Sequence, residues 1–227
     1  MNGHYKGTVV LMPNTTKDPI SLIGKCAGTC WGANTEDAEK NYKRGLECIQ
    51  NNHGRTLEYP EVYMILDGWS ARVIREFYTH IGGAPTRLQA STRYIQYGDF
   101  DYSLPPKVSV NPEAERIYAE TMAKIGKAVA KLEDLGVPRE DAAMLLPLGM
   151  DTKIVGKYNL RTLMDMSRQR MCSRAYHEFR QLFNAILDEL QNYSEEWKTV
   201  IDMVMMPKCE YLGYCPEKYS CGRKTKK

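Results

Sequence analysis

The sequence predicts one α+β domain, with strands mostly in the first half and helices mostly in the second. Three observations lead there. Two apolar runs, residues 7–12 (GTVVLM) and 61–66 (EVYMIL), read as strands, the second apolar nearly throughout as a buried strand is. The second half carries long helical periodicities, above all Tyr118, Met122, Ile125, Val129 and Leu132 at alternating spacings of four and three. No internal repeat or linker divides the chain, and its 227 residues suffice to bury a core.

The elements follow in order. Asp18-Pro19 marks a helix start, with proline at the first helical position. Thr35 is placed to cap a helix from Glu36 to about Asn52, with Ala38, Tyr42, Leu46 and Ile49 as its apolar stripe and His53-Gly54 as its stop. After the 61–66 strand, Ser70 caps a helix that carries Val73, Ile74, Phe77 and Tyr78 on one side. Residues 94–102 (YIQYGDFDY) read as extended until Pro105-Pro106. Asn111-Pro112 opens the longest helix, Gly136 closes it, and Pro138 starts another through Leu146. A short strand at 151–156 precedes a helix capped by Asn159 and running to Met171. Helices at 175–190 and, capped by Ser194, to about Met205 complete the body.

Composition narrows the function classes. The net charge of +3 comes from Arg223, Lys224, Lys226 and Lys227; without them 27 basic residues face 28 acidic ones. A near-neutral body does not indicate nucleic-acid binding. No run of eighteen apolar residues predicts a membrane span, and no signal-peptide pattern opens the sequence. The expected location is the cytoplasm, with the seven cysteines as reduced thiols or metal ligands. Cys26 and Cys30, four apart, share a helix face and read as packing. Cys209, Cys215 and Cys221 recur every six residues in a tail that begins at 207. Three thiols with Gly and Pro between them could hold zinc or an iron–sulfur cluster. The spacing lacks paired Cys-x-x-Cys hooks, so no metal site is assigned. The closing Arg-Lys-Thr-Lys-Lys reads as a solvated run.

The loop from His80 to Tyr94 concentrates polar chemistry. Gly82 and Gly83 let a ligand approach the main chain. Thr86 to Arg93 then supply three hydroxyls, an amide and two guanidiniums, a set that suits an anionic, planar ligand.

The second half becomes specific. Residues 136–148 (GVPREDAAMLLPL), 158–164 (YNLRTLM) and Arg170 closely resemble the flavin-dependent thymidylate synthases, whose pattern is G-V-P-x-E-x-A-R-x-x-L-P, then N-x-R-x-L, then a downstream Arg. The first half agrees in order, and the resemblance covers about residues 7–205. It implies a domain over 1–206, with a small, mostly antiparallel sheet packed with long helices, and a separate Cys/Lys-rich tail over 207–227. It implies a homotetramer with active sites between subunits, each holding FAD, dUMP and a folate. NADPH reduces the flavin, methylenetetrahydrofolate supplies the carbon, and dTMP is the product.

By the same resemblance, Asn159 and Arg161 match flavin contacts. His53 and Glu58 of HGRTLE match residues near flavin and folate, with Tyr59 in place of a second His. Ser91 and Arg93 match the Ser-x-Arg that grips the nucleotide. Arg170 matches the Arg that recognises the pyrimidine and stabilises its anionic form, so Arg170 and Ser91 are the catalytic candidates. Departures are equally plain. Ile81-Gly82-Gly83 stand where the family has Arg-His-Arg, Ala143 where it has a nucleotide-binding Arg, Gln89 for a Glu and Asp165 for an Asn. Two compensations are open: a Gly82–Gly83 backbone nest, or His80 and Arg87 reaching the ligand from new positions. Arg87 and Lys153 are candidate replacements for the Arg missing at 143; Arg87 and Gln89 complete the expected substrate set. The alternative outcomes are the same scaffold acting on another pyrimidine nucleotide such as dCMP, or a flavin- or nucleotide-binding protein without catalysis.

Overall fold

The computed structural model describes residues 3–4 and 7–227. Strands β1 (Gly3–His4) and β2 (Thr8–Leu11) are followed by helices α1 (Pro19–Cys30) and α2 (Ala38–Gln50). Strand β3 (Glu61–Ser70) runs directly into α3 (Ala71–Phe77). Strands β4 (Thr86–Gln89) and β5 (Tyr102–Ser103) precede α4 (Pro106–Ser109), α5 (Pro112–Asp134) and α6 (Arg139–Ala142). Strand β6 (Asp151–Asn159) runs into α7 (Leu160–Arg170), and α8 (His177–Tyr193), α9 (Glu195–Val204) and α10 (Lys208–Leu212) follow. The main sheet has the order β2-β3-β6-β4. Leu160 N–H donates to Pro60 O, and Ala71 N–H to Met150 O, so β3 and β6 run antiparallel. β1 pairs with β5 in parallel, Gly3 opposite Tyr102. This is the α+β fold with a small antiparallel sheet that the sequence predicts.

Chain contacts divide the fold into two compact units. The first comprises residues up to 8, 65–79 and 87–155. Its core gathers Tyr97, Phe100, Tyr102, Leu104, Met122 and Met150, with Tyr118 and Ile125 of α5 packed against it. The 94–102 run is therefore not the extended segment expected. Its buried aromatics Tyr97 and Phe100 lie three residues apart, a spacing that a turn can point inward and a strand cannot. Thr86–Gln89, read as loop, forms the strand β4 instead; the Ala90 N–H donates to Lys153 O just beyond its end.

The second unit comprises residues 9–64, 80–86 and 156–227. Its core includes Ile20, Ile23, Leu57, Met64, Phe179, Phe183, Ile186 and Trp197, and the Trp197 indole N–H donates to Thr16 O at 2.7 Å. Helix α2 begins two residues later than expected: Asp37, not Thr35, accepts from the Lys40 N–H. It ends at Gln50, where Asn52 rather than Gly54 takes the left-handed conformation, with φ 53°. Its buried face is Asn41, Gly45, Cys48 and Ile49, so of the expected stripe only Ile49 is buried. The reason is the crossing with α1, where a Cβ on Gly24 would overlap the Asn41 carbonyl and one on Gly45 the Ile20 carbonyl. Glycine lets these two backbones touch. Helix α1 starts at Pro19 as predicted, but the Asp18 side chain caps nothing. The Glu196 carboxylate accepts from the Ile20 and Ser21 N–H groups at 2.7 and 2.9 Å.

The tail is ordered into this unit. Cys209 and Cys215 are buried, Cys215 bridges to Lys226, and Lys224 pairs with Glu210 at 2.8 Å. The closing basic run is thus partly engaged instead of merely solvated. Among the described residues no helix is long and apolar enough to cross a membrane.

Candidate functional site

Two groups of the expected site residues stand in the structure, one in each unit. In the second unit the start of α7 is the organising element. Asn159 takes extended angles, and its side chain accepts the Thr162 N–H at 2.9 Å, satisfying a donor at the helix start. Thr162 was not foreseen; its hydroxyl donates to the Gly82 carbonyl and fastens the 80–86 segment to α7. Gly83 follows with φ 71°, and a Cβ there would collide with the Asn159 and Thr162 side chains. Only glycine fits that approach. Gly82 has open space where a Cβ would be, so its main chain is accessible.

Arg161, on the same turn, donates to Glu58 at 2.7 Å, and Arg55 binds the other Glu58 oxygen at 3.0 Å. The Arg161 guanidinium also lies against Gly54, 3.2 Å from an ideal Cβ there. His53 is exposed beside it. Glu58, expected beside flavin and folate, is the acid that holds two arginines.

At the far end of α7, the half-buried Arg170 donates from Nε to His80 Nε2 at 3.0 Å. Its guanidinium lies over the Phe179 ring, 4.7 Å from the centroid, and His80 meets the same ring edge-on at 5.7 Å. Burial, reinforced by the Arg170 charge, lowers the His80 pKa from 6.5 to about 4. The imidazole is therefore neutral at pH 7 and accepts at Nε2.

In the first unit Arg87 donates to the Tyr78 carbonyl at 2.8 Å and stacks over the Tyr78 ring. Gln89 donates to the Thr152 hydroxyl. The Ser91 hydroxyl accepts the Arg93 N–H, and Arg93 forms an exposed 2.6 Å bridge to Glu140. Lys153 is paired with Asp67 at 2.5 Å. The expected groups thus cluster as Gly82–Gly83–Asn159, His53–Glu58–Arg161 and His80–Arg170 in one unit, and as Arg87, Gln89, Ser91 and Arg93 in the other. No group of three or more His, Cys, Asp or Glu is arranged to hold a metal among the described residues.

A family model described as "Thymidylate synthase complementing protein" matches residues 11–194. The chain belongs to that family. Among its relatives, a protein of Nitratidesulfovibrio vulgaris named flavin-dependent thymidylate synthase is 28% identical, with 92% of this chain and 91% of that protein covered. One of Geobacter sulfurreducens with the same name is 31% identical over 92% of this chain and 91% of its own length. A solved structure described as a UMP/dUMP methylase, PolB from Streptomyces cacaoi, bound with 5-Br dUMP, superimposes with a TM-score of 0.73. It is 15% identical, with 90% of this chain and 98% of that one covered, so the likeness is one of fold. Family membership agrees with the ordered motifs. Residues from 195 onward, α9 and the tail, lie beyond the matched region.

Proposed function

We propose that this chain is a flavin-dependent thymidylate synthase, making dTMP from dUMP with methylenetetrahydrofolate as carbon donor and NADPH as reductant. The observation that carries this reading is the family match over residues 11–194, with relatives of that name aligned over about nine-tenths of their length. FAD fits the residues present around the start of α7: Arg161 supplies a charged donor, Gly82 an open main chain, and the first turn of an eleven-residue helix a positive dipole end. These features compensate in kind for the absent Arg-His-Arg. When bound and reduced, the flavin supplies the hydride, the hard chemistry being the cofactor's.

The chain's own residues bind and polarise. Arg170 faces the pyrimidine and favours negative charge on its ring, which makes the distal carbon more nucleophilic. His80 and Phe179 hold that guanidinium in place. Ser91 and Arg93 grip the nucleotide, Arg93 leaving Glu140 for the ligand; Arg87 and Gln89 complete the contact. His53, Glu58 and Arg161 border flavin and folate.

A homotetramer with active sites between subunits is supported by the first unit's exposed apolar side chains, Leu88, Tyr94, Met144 and Leu148, each at least half exposed. Seven free thiols suit the cytoplasm. Ala143 and the missing Arg-His-Arg favour a second reading, turnover of another pyrimidine nucleotide such as dCMP.

The test is a visible spectrum of the protein with FAD and then dUMP, followed by turnover with methylenetetrahydrofolate and NADPH. Flavin bands that shift on dUMP addition, with dTMP formed, are expected. Product from dCMP alone selects the second reading, and failure to bind FAD overturns both.

A further inference from the structure

Beyond the family's matched region, the tail builds a cavity. It measures about 490 Å³ and lies wholly within the second unit, between the end of α7 and residues 207–224. Six cations line it, namely Arg168, Arg170, Arg174, Lys208, Arg223 and Lys224, against one carboxylate, Glu217. Among the described residues, Arg174, Lys208 and Arg223 have no acid opposite them. Arg174 donates to the Tyr219 carbonyl at 2.7 Å and Arg223 to the Met171 carbonyl at 3.5 Å. Neutral carbonyls orient a guanidinium and leave its charge in place. Lys224 has Glu210 at 2.8 Å, and Arg168 has Asp165 only at 3.6 Å. The Arg168 Nε is buried and has no hydrogen-bond partner, while its guanidinium stacks on Tyr211 at 4.1 Å. Like charges gathered in one concavity repel, and the field they focus attracts a counter-anion.

We propose that this cavity is a binding site for a phosphate-bearing small molecule that carries at least two negative charges. Four guanidiniums line separate points of the wall. A tetrahedral phosphate offers acceptors in several directions, whereas a carboxylate offers one edge. The volume falls in the range of small-molecule sites. The cations other than Arg170 belong to none of the motifs that carry the thymidylate reading, and this site stands whether or not that reading does.

Titration calorimetry of the full chain with inorganic pyrophosphate, and separately with citrate, at constant ionic strength tests it. Pyrophosphate is expected to bind, and to bind at least tenfold more weakly to Arg174→Ala and Arg223→Ala. Lys208→Gln, at an exposed wall position, is expected to weaken it less and guards against loss of fold, which melting temperatures also report. Binding of dUMP to the same variants is expected to be unchanged. No pyrophosphate binding, or binding indifferent to all three variants, overturns the site. Citrate binding as tightly as pyrophosphate overturns the phosphate assignment and points to a polycarboxylate. Direct competition between dUMP and pyrophosphate, with equal losses of both in the variants, overturns a separate site and makes the cavity part of the substrate site.

Discussion

Asn159 serves two purposes that mutation can separate. Its side chain caps α7, a contribution of about 0.5–2 kcal/mol, and the proposed function also gives it a flavin contact. Asn159→Ala is expected to lower stability by about 1 kcal/mol, read from denaturant melts. Asn159→Ser keeps a capping oxygen, so its stability should stay near wild type while FAD affinity falls; unchanged FAD affinity leaves Asn159 a cap alone. His80 gives a pH dependence of definite sign. Its pKa is about 4 in the folded protein against 6.5 in the ordinary state, so on acidification the unfolded chain takes the proton first. The His80 contribution is intact above about pH 6.5 and is lost as pH falls toward 4. Partial exposure moderates the size. Thermal melts from pH 7 to pH 4 should fall more steeply for wild type than for His80→Asn; parallel curves would show that the imidazole is not held neutral by the fold.

At the scale of elements, the α1–α2 crossing is the most sensitive contact. Gly24 and Gly45 each face a backbone carbonyl of the other helix, and backbone cannot swing aside as a long side chain can. Gly24→Ala and Gly45→Ala are each expected to cost at least about 1–3 kcal/mol, the range for overpacked sites. A melting temperature unaltered by either change would mean that the helices part without penalty. The same crossing explains why hydropathy misjudged the face of α2. Ala38, Tyr42, Leu46 and Ile49 make a good apolar stripe, but the close approach needs small residues, so Gly45 and Asn41 turn inward. Helix starts were more legible. Ser70, Asn111, Asn159 and Ser194 all cap where their sequence positions predict, because a cap acts within three residues. Asp18-Pro19 also marks its helix start correctly, although the capping carboxylate there is that of Glu196, far away in sequence.

For the whole molecule, the exposed apolar side chains of the first unit should be covered by other copies if the proposed tetramer forms. Met144, 85% exposed, is the clearest probe. Met144→Asp is expected to shift the mass measured by light scattering from four chains to fewer and to reduce turnover with it. A monomeric wild type would remove the assembly from the proposal. The tail shows how far local reading reaches. Its three thiols left metal open with no site assigned, and the structure makes Cys209 and Cys215 part of the wall of a basic cavity.

The sequence by itself determined the fold class, most helix starts, and the ordered motifs that mark the family, because each depends on residues within a few positions of one another. Only the tertiary structure decided which charges meet. His80 and Arg170 are 90 residues apart, and Glu58 and Arg161 are 103 apart. Their pairing follows from how β3, β6 and α7 bring distant segments together, and no local periodicity encodes it. The same holds for the cavity of the tail, whose cations look like scattered solvated charge until the chain closes around them.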